Sequence, residues 1–439
     1  MESMLQDTIC AISTALSEGA ISIVRMSGPD AFEIARKITD VKNCAANTIV
    51  YAHVYEGEEM IDEVLVSFFR APKSYTREDM VEINTHGGVA VTRRVLSLLL
   101  KEGCRLAERG EFTRRAYLNG RIDLSEADAV NDLVKAKTLL QSRSAIRGLN
   151  GSVERLLLPL LDEMKDVIAM IEVNIDYPEY EDERQMTKEV IEPYLDKWIR
   201  EAAEMVEKAE RFRLVKDGVR TVIIGKPNVG KSSLLNALLE RDKAIVTDIA
   251  GTTRDLVEGK AYLDNVTLEL VDTAGIRESD DFIEKIGIDK TLEALEEADL
   301  VLLVLDATDI DEEDEKLLEA TKEKRRIVIY NKSDLVEKGE VSVSAKNKEI
   351  ASLTKTINEM FKEDIGLVDE DILNNERQIA LMKKCLSELS DMKEEIGMMS
   401  IDVLLIDLEE AFHQLSEILG KEYREDLIDH MFRNFCLGK

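Results

Sequence analysis

Cysteine is scarce in this sequence, and its spacing matches neither a zinc site nor a disulfide framework. The chain has five cysteines and no C-x-x-C pair, which favours reduced thiols. They are Cys10, Cys44, Cys104, Cys385 and Cys436. No run of about 18 uncharged apolar residues is present, and the start, MESMLQDTIC, lacks the basic and then apolar layout of a signal peptide. We therefore expect a cytoplasmic protein with no membrane span.

Basic residues are outnumbered by acidic ones, 58 against 89, and the formal net charge is −31. Such a chain should repel a nucleic-acid backbone, so any contact with nucleic acid must be local or supplied by a partner. The densest basic stretch is RLAERGEFTRRAYLNGR, for which an ion-paired or solvated surface is as good an interpretation as a nucleic-acid contact. Its arginines are Arg105, Arg109, Arg114, Arg115 and Arg121.

The 439 residues are too many for one hydrophobic core, and the sequence pattern changes along the chain. Residues 1–118 mix β-like runs such as AISIVRMSG with helical stretches such as VTRRVLSLLLKEG, which predicts an α/β domain. Residues 119–215 and 366–439 are helical, and their long apolar stripes predict that they pack together as one discontinuous all-α domain. Residues 216–365 carry the buried-strand runs TVIIG, VTLELVD, LVLLVLD and RIVIYN, which predict an inserted α/β domain with a mostly parallel sheet.

Three motifs of this inserted segment predict a nucleotide site. GKPNVGKS follows the strand TVII and precedes SLLNALL, the setting of a P-loop in which Lys231 contributes a positive charge and Ser232 a hydroxyl for magnesium. DTAG follows VTLELV, which places Asp272 for a magnesium-linked carboxylate and Gly275 for the γ-phosphate. NKSD follows IVIY, and its Asp334 would accept from two guanine N–H groups that adenine lacks. The predicted nucleotide is therefore GTP.

Two further elements complete this site. SAK, residues 344–346, fits the loop that closes on the base, and TDIAGTTRD, residues 247–255, lies where the mobile first switch belongs. In that switch Thr253 is the natural second magnesium hydroxyl, and its carbonyl group is suited to orient the attacking water. GTP contacts are predicted for Asn228, Val229, Gly230, Lys231, Ser232, Ser233, Thr247, Asp248, Ile249, Ala250, Gly251, Thr252, Thr253, Asp272, Thr273, Ala274, Gly275, Asn331, Lys332, Ser333, Asp334, Ser344, Ala345 and Lys346.

One position of the site is unusual. Ras-like GTPases carry a water-orienting glutamine just after the DTAG turn, whereas this chain has Ile276, whose side chain can neither accept a proton nor hold a water. The acidic segment that follows, ESDDFIEKIG, offers several carboxylates for that task. They are Glu278, Asp280, Asp281 and Glu284.

These motifs, together with GEFTRRAYLNGRIDLSEADAVNDL upstream and FCLGK at the end, resemble the tRNA-modification GTPase family MnmE, also called TrmE, over nearly the whole chain. The resemblance implies an N-terminal domain that dimerises and binds a folate, a discontinuous helical domain and an inserted GTPase domain. It also implies a homodimer that forms a heterotetramer with an FAD-dependent MnmG-like partner, which would hold most of the tRNA.

The implied reaction is the modification of wobble uridine. A potassium-stimulated, magnesium-dependent GTPase and its flavoprotein partner would install an aminomethyl or carboxymethylaminomethyl group at carbon 5. The one-carbon donor would be a tetrahydrofolate derivative, either 5-formyl or 5,10-methylene. Which tRNAs are modified, and whether glycine or ammonium supplies the amine, stay open.

The resemblance implies a role for individual residues as well. Glu284 matches the water-activating glutamate of the family, and with Thr253 it forms the expected catalytic pair. Potassium ligands are expected at Asn228, Thr247, Ile249 and Thr252, and magnesium ligands at Ser232 and Thr253. The expected folate-binding residues are Arg25, Glu82, Arg121 and Lys439. A carboxylate suits the ring N–H groups of a pterin, and arginines suit the glutamate tail of a folate.

Two departures from the family bear on the folate loop. Arg121 replaces the usual lysine of the LNGRIDL motif, and ISTALSEGAISIVR stands where the family commonly has a glycine-rich stretch. Two other functions compete with the favoured one. The first is a GTP-driven binding switch in ribosome assembly, which usually carries a basic RNA-binding module. The second is a folate-dependent one-carbon enzyme in which His86 acts as the acid–base residue, although a structural histidine is the simpler interpretation.

Overall fold

The computed structural model describes residues 7–42, 45, 47–177, 187–240, 257–263, 265–272, 295, 297–398, 400–421, 432, 435, 436 and 438. The chain divides into two compact units. The first is Met1–Asn131 with Ser416–Lys439, and the second is Asp132–Leu415. The four domain ranges expected from the sequence stay a prediction.

The first unit is built on a six-stranded sheet in the order β3-β4-β5-β2-β1-β6. Neighbouring strands are antiparallel except β1 and β6, which run parallel. The strands are β1 (Ile9–Ile12), β2 (Ile21–Ser27), β3 (Thr48–Glu56), β4 (Glu59–Phe69), β5 (Met80–His86) and β6 (Arg105–Leu106).

Helices α1 (Ala31–Ile38) and α2 (Val89–Lys101) pack on this sheet and share its hydrophobic core. The buried residues of α1 are Ala31, Phe32, Ile34, Ala35 and Ile38, and their spacing of three to four residues forms one stripe that faces the strands. The Phe32 ring meets Phe68 of β4 edge to face, with centroids 5.3 Å apart, a geometry that aromatic pairs prefer.

The chain then continues into α3 (Glu111–Leu118) and α4 (Leu124–Lys135). Two phenylalanines near the C-terminus, Phe432 and Phe435, form a small buried cluster with Leu124 and Ala127 of α4. Gly110, just before α3, has a positive φ of 68°, and a Cβ there would lie 2.8 Å from the Phe432 carbonyl oxygen. Only glycine allows the C-terminal segment to approach so closely.

The second unit contains helices drawn from two separate stretches of the chain. Helix α7 packs antiparallel to α12, and ion pairs Glu210–Lys383 and Asp196–Lys393 flank their contact. Trp198 of α7 is fully buried, and its Nε1 donates to Glu163 of α6 at 2.7 Å. The helices that precede the second sheet in the chain are α5 (Leu139–Leu149), α6 (Ser152–Asp176) and α7 (Lys188–Asp217). Those that follow it are α12 (Glu376–Glu395) and α13 (Ile401–Leu419), of which α13 belongs to the second unit up to Leu415.

Between these helical stretches lies a second six-stranded sheet, in the order β12-β11-β10-β7-β9-β8. All pairs are parallel except β8 with β9, which are antiparallel at one edge. The strands are β7 (Val219–Ile224), β8 (Val257–Tyr262), β9 (Thr267–Asp272), β10 (Leu300–Asp306), β11 (Arg326–Asn331) and β12 (Ser342–Val343). The connecting helices are α8 (Lys231–Glu240), α9 (Glu312–Ala320), α10 (Ala351–Met360) and α11 (Lys362–Gly366).

The chain leaves this sheet through an acidic exit segment, residues 364–374, which runs along α5, α6 and α7. The buried Lys216 of α7, where the chain enters the sheet, donates through Nζ to the Asn374 carbonyl oxygen in this segment. Five ion pairs add to that bond: Arg211–Asp364 (2.7 Å), Arg143–Asp369 (2.7 Å), Lys208–Glu370 (3.0 Å), Arg147–Asp371 (2.9 Å) and Arg155–Asp371 (3.0 Å).

The fold class expected from the sequence is confirmed. The chain is multidomain, with an N-terminal α/β part, a helical part and a P-loop-type sheet whose strands are mostly parallel. Within the described residues, no helix has the length and apolar character needed to cross a membrane.

Candidate functional site

The predicted P-loop joins β7, a central strand of the second sheet, to the N-terminus of α8. Its backbone has positive φ at Gly225 (152°), Asn228 (63°) and Gly230 (100°). A Cβ at Gly225 would lie 2.3 Å from the Val304 carbonyl oxygen, and one at Gly230 would lie 2.2 Å from Nδ2 of Asn331. Close packing therefore requires the two glycines, whose positive φ angles other residues rarely adopt.

Lys231 of this loop points back into it. Its Nζ donates to the carbonyl oxygens of Gly225 at 2.9 Å and Lys226 at 2.7 Å. Nearby, the predicted ligands Asn228 and Ser232 are exposed, which leaves their side-chain oxygens accessible to an ion. The ammonium group of Lys231 therefore lies within the loop at the N-terminus of α8, and a helix N-terminus attracts anions.

Asn331 joins the predicted phosphate and base elements. This side chain is 4% exposed; its Nδ2 donates to the Val229 carbonyl oxygen at 2.8 Å, and its Oδ1 accepts from the Ala345 N–H at 3.0 Å. In the same region the Ser344 hydroxyl donates to Oδ1 of Asp334 at 2.9 Å. The motifs NKSD and SAK are therefore brought together, with the carboxylate of Asp334 oriented by a neighbour of the base loop.

Lys332 of the NKSD motif pairs with Asp306, the last residue of β10. Burial opposes ionisation of this carboxyl, but hydrogen bonds from Lys332 and Thr308 outweigh it, so the pKa of Asp306 lies below its usual value. Asp306 thus stays ionised and holds the motif at the carboxyl edge of the sheet, where ligands bind in α/β folds.

Several predicted residues lie outside the described part of the chain. They include the whole first switch and, after Asp272, the rest of the DTAG turn. The backbone of Asp272 ends β9 beside Ile223 of β7, the strand that leads into the P-loop. Among the described residues, no group of three or more His, Cys, Asp or Glu side chains is placed to hold a metal. The predicted residues that lie outside the described part of the chain are Thr247, Asp248, Ile249, Ala250, Gly251, Thr252, Thr253, Thr273, Ala274, Gly275, Ile276 and Glu284.

The first unit brings together three of the four predicted folate residues. Arg25 of β2 and Glu82 of β5 are cross-strand partners, and Oε1 of Glu82 accepts from Nε and Nη2 of Arg25 at 2.8 and 2.7 Å. Among the described residues nothing donates to Oε2 of Glu82, so this oxygen can accept from a ring N–H group. Lys439 lies outside the described residues, but the carbonyl oxygen of its neighbour Gly438 accepts from Arg25 at 3.3 Å and from the Ser13 hydroxyl at 3.0 Å.

Tyr75 lies between Arg121, the third predicted folate residue, and Arg25. The guanidinium of Arg121 lies 4.4 Å from the centre of the Tyr75 ring, and that of Arg25 lies 5.6 Å from it. The Tyr75 hydroxyl and that of Thr113 are 2.9 Å apart. Nε of Arg121 is buried and has no hydrogen-bond partner among the described residues, so a donor points at no acceptor. Two cations and a carboxylate that still has an oxygen to offer fit the polar groups of a folate.

Two arginines of the arginine-rich stretch, Arg105 and Arg115, are ion-paired within the unit. Arg115 is 2% exposed, and its guanidinium contacts Asp7, Glu78 and Glu111. Arg105 pairs with Asp7 and Glu111 in turn. Burial alone would raise the pKa of Glu111, but the bonds from Arg105 and from a backbone N–H lower it. For these two arginines the ion-paired interpretation is therefore confirmed.

His86 has a carboxylate partner. Its Nδ1 lies 2.7 Å from Oδ1 of Asp62 on β4, whose other oxygen accepts from the His86 backbone N–H at 2.9 Å. The hydrogen bond to Asp62 raises the pKa of the exposed His86. The partner is 24 residues away along the chain, and only the pairing of β4, β5 and their loops brings it near.

Comparisons with known proteins cover nearly the whole chain. Residues 124–436 match the family model described as MnmE helical domain, and residues 8–121 match the one described as GTP-binding protein TrmE N-terminus. A curated relative from Lactococcus lactis subsp. cremoris, "tRNA modification GTPase MnmE", is 47% identical over 99% of this chain and 98% of its own. One of the same name from Streptococcus gordonii is 45% identical over 99% of both chains.

Solved structures give a weaker likeness. Era from Aquifex aeolicus, bound to GDP and aluminium fluoride, is 26% identical over 38% of this chain and 66% of its own, with a TM-score of 0.26. At that TM-score the likeness supports no inference.

Proposed function

Because this chain belongs to the MnmE family of tRNA modification GTPases, we propose that it uses GTP to control the modification of carbon 5 of wobble uridine. The chain is a GTPase that acts in tRNA modification. The observation that supports the nucleotide part most directly is the double hydrogen bond of Asn331, which ties the phosphate loop to the base loop.

In this proposal each described loop has one task. Backbone N–H groups of the P-loop and Lys231 bind the phosphates, and Asp334, oriented by Ser344, selects guanine by accepting from its N–H groups. Ser232 and Thr253 would hold magnesium, while Asn228, Thr247, Ile249 and Thr252 would hold potassium. Potassium would supply the positive charge that an arginine supplies to other GTPases. Glu284 would orient and polarise the attacking water, where Ile276 cannot.

The one-carbon donor would bind in the first unit. Glu82 would accept from the pterin ring N–H groups through its second oxygen, and the guanidinium of Arg121 would bind a carboxylate of the folate. Arg25 contacts the C-terminal segment beside this site, through the bond from its guanidinium to the Gly438 carbonyl oxygen. A tetrahydrofolate derivative fits this set of donors and acceptors.

The family implies the FAD-dependent partner, and the net charge of this chain indicates which of the two proteins holds the tRNA. With a net charge of −31, this chain is poorly suited to hold tRNA alone, so an FAD-dependent MnmG-like protein would hold most of it within a heterotetramer. GTP hydrolysis would then gate the chemistry through domain movement instead of driving it. Tight binding of tRNA by the purified homodimer at physiological salt would contradict this division of labour.

Mass spectrometry of wobble uridine tests the proposal. tRNA from cells that lack this protein should lose the carbon-5 substituent, and the intact chain should restore it. A ribosome-assembly switch is the alternative, since other GTP-binding proteins also pair NVGKSS with DTAG. If the substituent persisted while ribosomal subunits accumulated as precursors, the alternative would be favoured.

A further inference from the structure

Lys226, the second residue of the P-loop motif GKPNVGKS, is bound to two carboxylates of α9. Its Nζ lies 2.7 Å from Oδ2 of Asp314 and 2.8 Å from Oδ2 of Asp311. The Lys226 side chain is 11% exposed, so little solvent screens the pair. None of the predicted nucleotide contacts involves this lysine, and its ammonium group is already held by α9.

Asp314 gives the contact its strength. Its side chain is fully buried; Oδ2 also accepts from the Asp311 backbone N–H at 3.1 Å, and Oδ1 has no partner among the described residues. A buried carboxylate without a positive partner is strongly unfavourable. Lys226 supplies that partner, so the start of the P-loop is attached to Asp314, a residue buried in the body of the sheet domain.

Asp311 completes the attachment from the helix side. It caps α9 by accepting from the N–H groups of Glu313 and Asp314 at 2.9 and 3.3 Å. The same carboxylate bonds Lys226, and that bond holds the pKa of Asp311 below its usual value. The N-terminal turn of α9 is therefore rigid where it meets the loop.

The backbone of Lys226 meanwhile determines where Lys231 rests. The carbonyl oxygens of Gly225 and Lys226 are the two acceptors of the Lys231 ammonium group. We propose that Lys226 is a positioning residue of the GTPase: anchored on α9 by Asp311 and Asp314, it fixes the first turn of the P-loop and thereby the placement of Lys231. It acts through the loop and does not touch the nucleotide.

The proposal rests on GTP binding by this P-loop, and it predicts a specific kinetic pattern. The loop N–H groups and Lys231 contact the phosphates in the ground state and the transition state alike, so their displacement should remove uniform binding. Lys226→Met should therefore raise KM for GTP roughly 10-fold and leave kcat within about 3-fold.

Three variants make the test decisive. Lys226→Arg keeps the positive charge that the buried Asp314 requires, so its KM should stay within about 3-fold of that of the unchanged protein. Lys316→Met, an exposed lysine of the same helix, is the matched control and should change nothing. Asp311→Asn removes the ion pair of Lys226 with Asp311 and keeps the one with the buried Asp314. This variant should therefore raise KM for GTP by less than Lys226→Met does.

Inhibition by guanosine, which has no phosphates, separates this effect from general damage. Its affinity depends on the NKSD and SAK loops, so it should be unchanged in folded Lys226→Met. The proposal is overturned if KM stays within about 2-fold of the unchanged protein, if guanosine affinity falls as much as GTP affinity, or if kcat alone falls. Absence of GTP turnover in the unchanged protein would instead refute the proposed function.

Discussion

Replacement of Asn331 by alanine should loosen the nucleotide site from both ends. The change removes the donor to the Val229 carbonyl and the acceptor of the Ala345 N–H, at a side chain that is only 4% exposed. Each backbone group left without a partner in a buried setting costs about 1–3 kcal/mol. Water can replace part of each lost hydrogen bond, so we expect a total of about 3 kcal/mol.

That free energy should appear mainly in nucleotide affinity. Binding must restore the arrangement of both loops, so about 3 kcal/mol corresponds to a roughly 10²-fold higher Kd for GDP. Titration of a fluorescent GDP analogue at fixed magnesium measures it. Asn331→Asp keeps an acceptor for the Ala345 N–H, so its Kd for GDP should lie between those of Asn331→Ala and the unchanged protein. Asn347→Ala, at an exposed position of the neighbouring loop, should bind GDP with the Kd of the unchanged protein.

A Kd within about 3-fold of the unchanged protein, with an unchanged melting temperature, would refute this reasoning. It would mean that the loops hold their positions without Asn331. An equal loss in Asn331→Ala and Asn331→Asp would identify the bond to Val229, and hence the P-loop side, as the dominant contact.

Three further predictions concern the ions, the water and the tail. GTP turnover should be faster in potassium than in sodium at equal ionic strength; equal rates would exclude a potassium site. Glu284→Ala should keep GTP affinity and lose ~10²-fold or more of turnover, and a larger loss on replacement of Arg254 or Arg277 would indicate an arginine finger instead. Removal of the last four residues, CLGK, should weaken 5-formyltetrahydrofolate binding and abolish tRNA modification while GTP turnover persists; calorimetry showing unchanged folate affinity would contradict it.

Sequence pattern was enough for the fold class because the signals are local. Buried runs such as LVLLVLD read as parallel strands, and the structure places that run at β10, between β7 and β11. The P-loop was equally visible, since its glycines, Lys231 and Ser232 are contiguous. The two helical stretches showed apolar stripes without partners, and α7 with α12 accounts for part of them.

Contacts between distant residues could not be predicted in this way. Asn331 bonds Val229 across 102 positions of sequence, and only the order of β7, β10 and β11 brings them together. Tyr75 carries no motif of its own, yet it lies beside both Arg25 and Arg121. Lys226 contacts Asp311 and Asp314, which lie more than 80 positions further along the chain. Each of these contacts depends on tertiary packing, which periodicity does not encode.

The pairing of α7 with α12 has a consequence for biosynthesis. Roughly 160 residues separate Asp217 from Glu376, and ribosomes add about 5–20 residues per second, so α7 is complete for about 8–30 s before α12 exists to cover it. During that interval the whole second sheet is made and can fold. The nascent chain therefore carries an uncovered apolar helix face beside a finished domain, which makes α7 the segment on which chaperones that bind emerging chains would act.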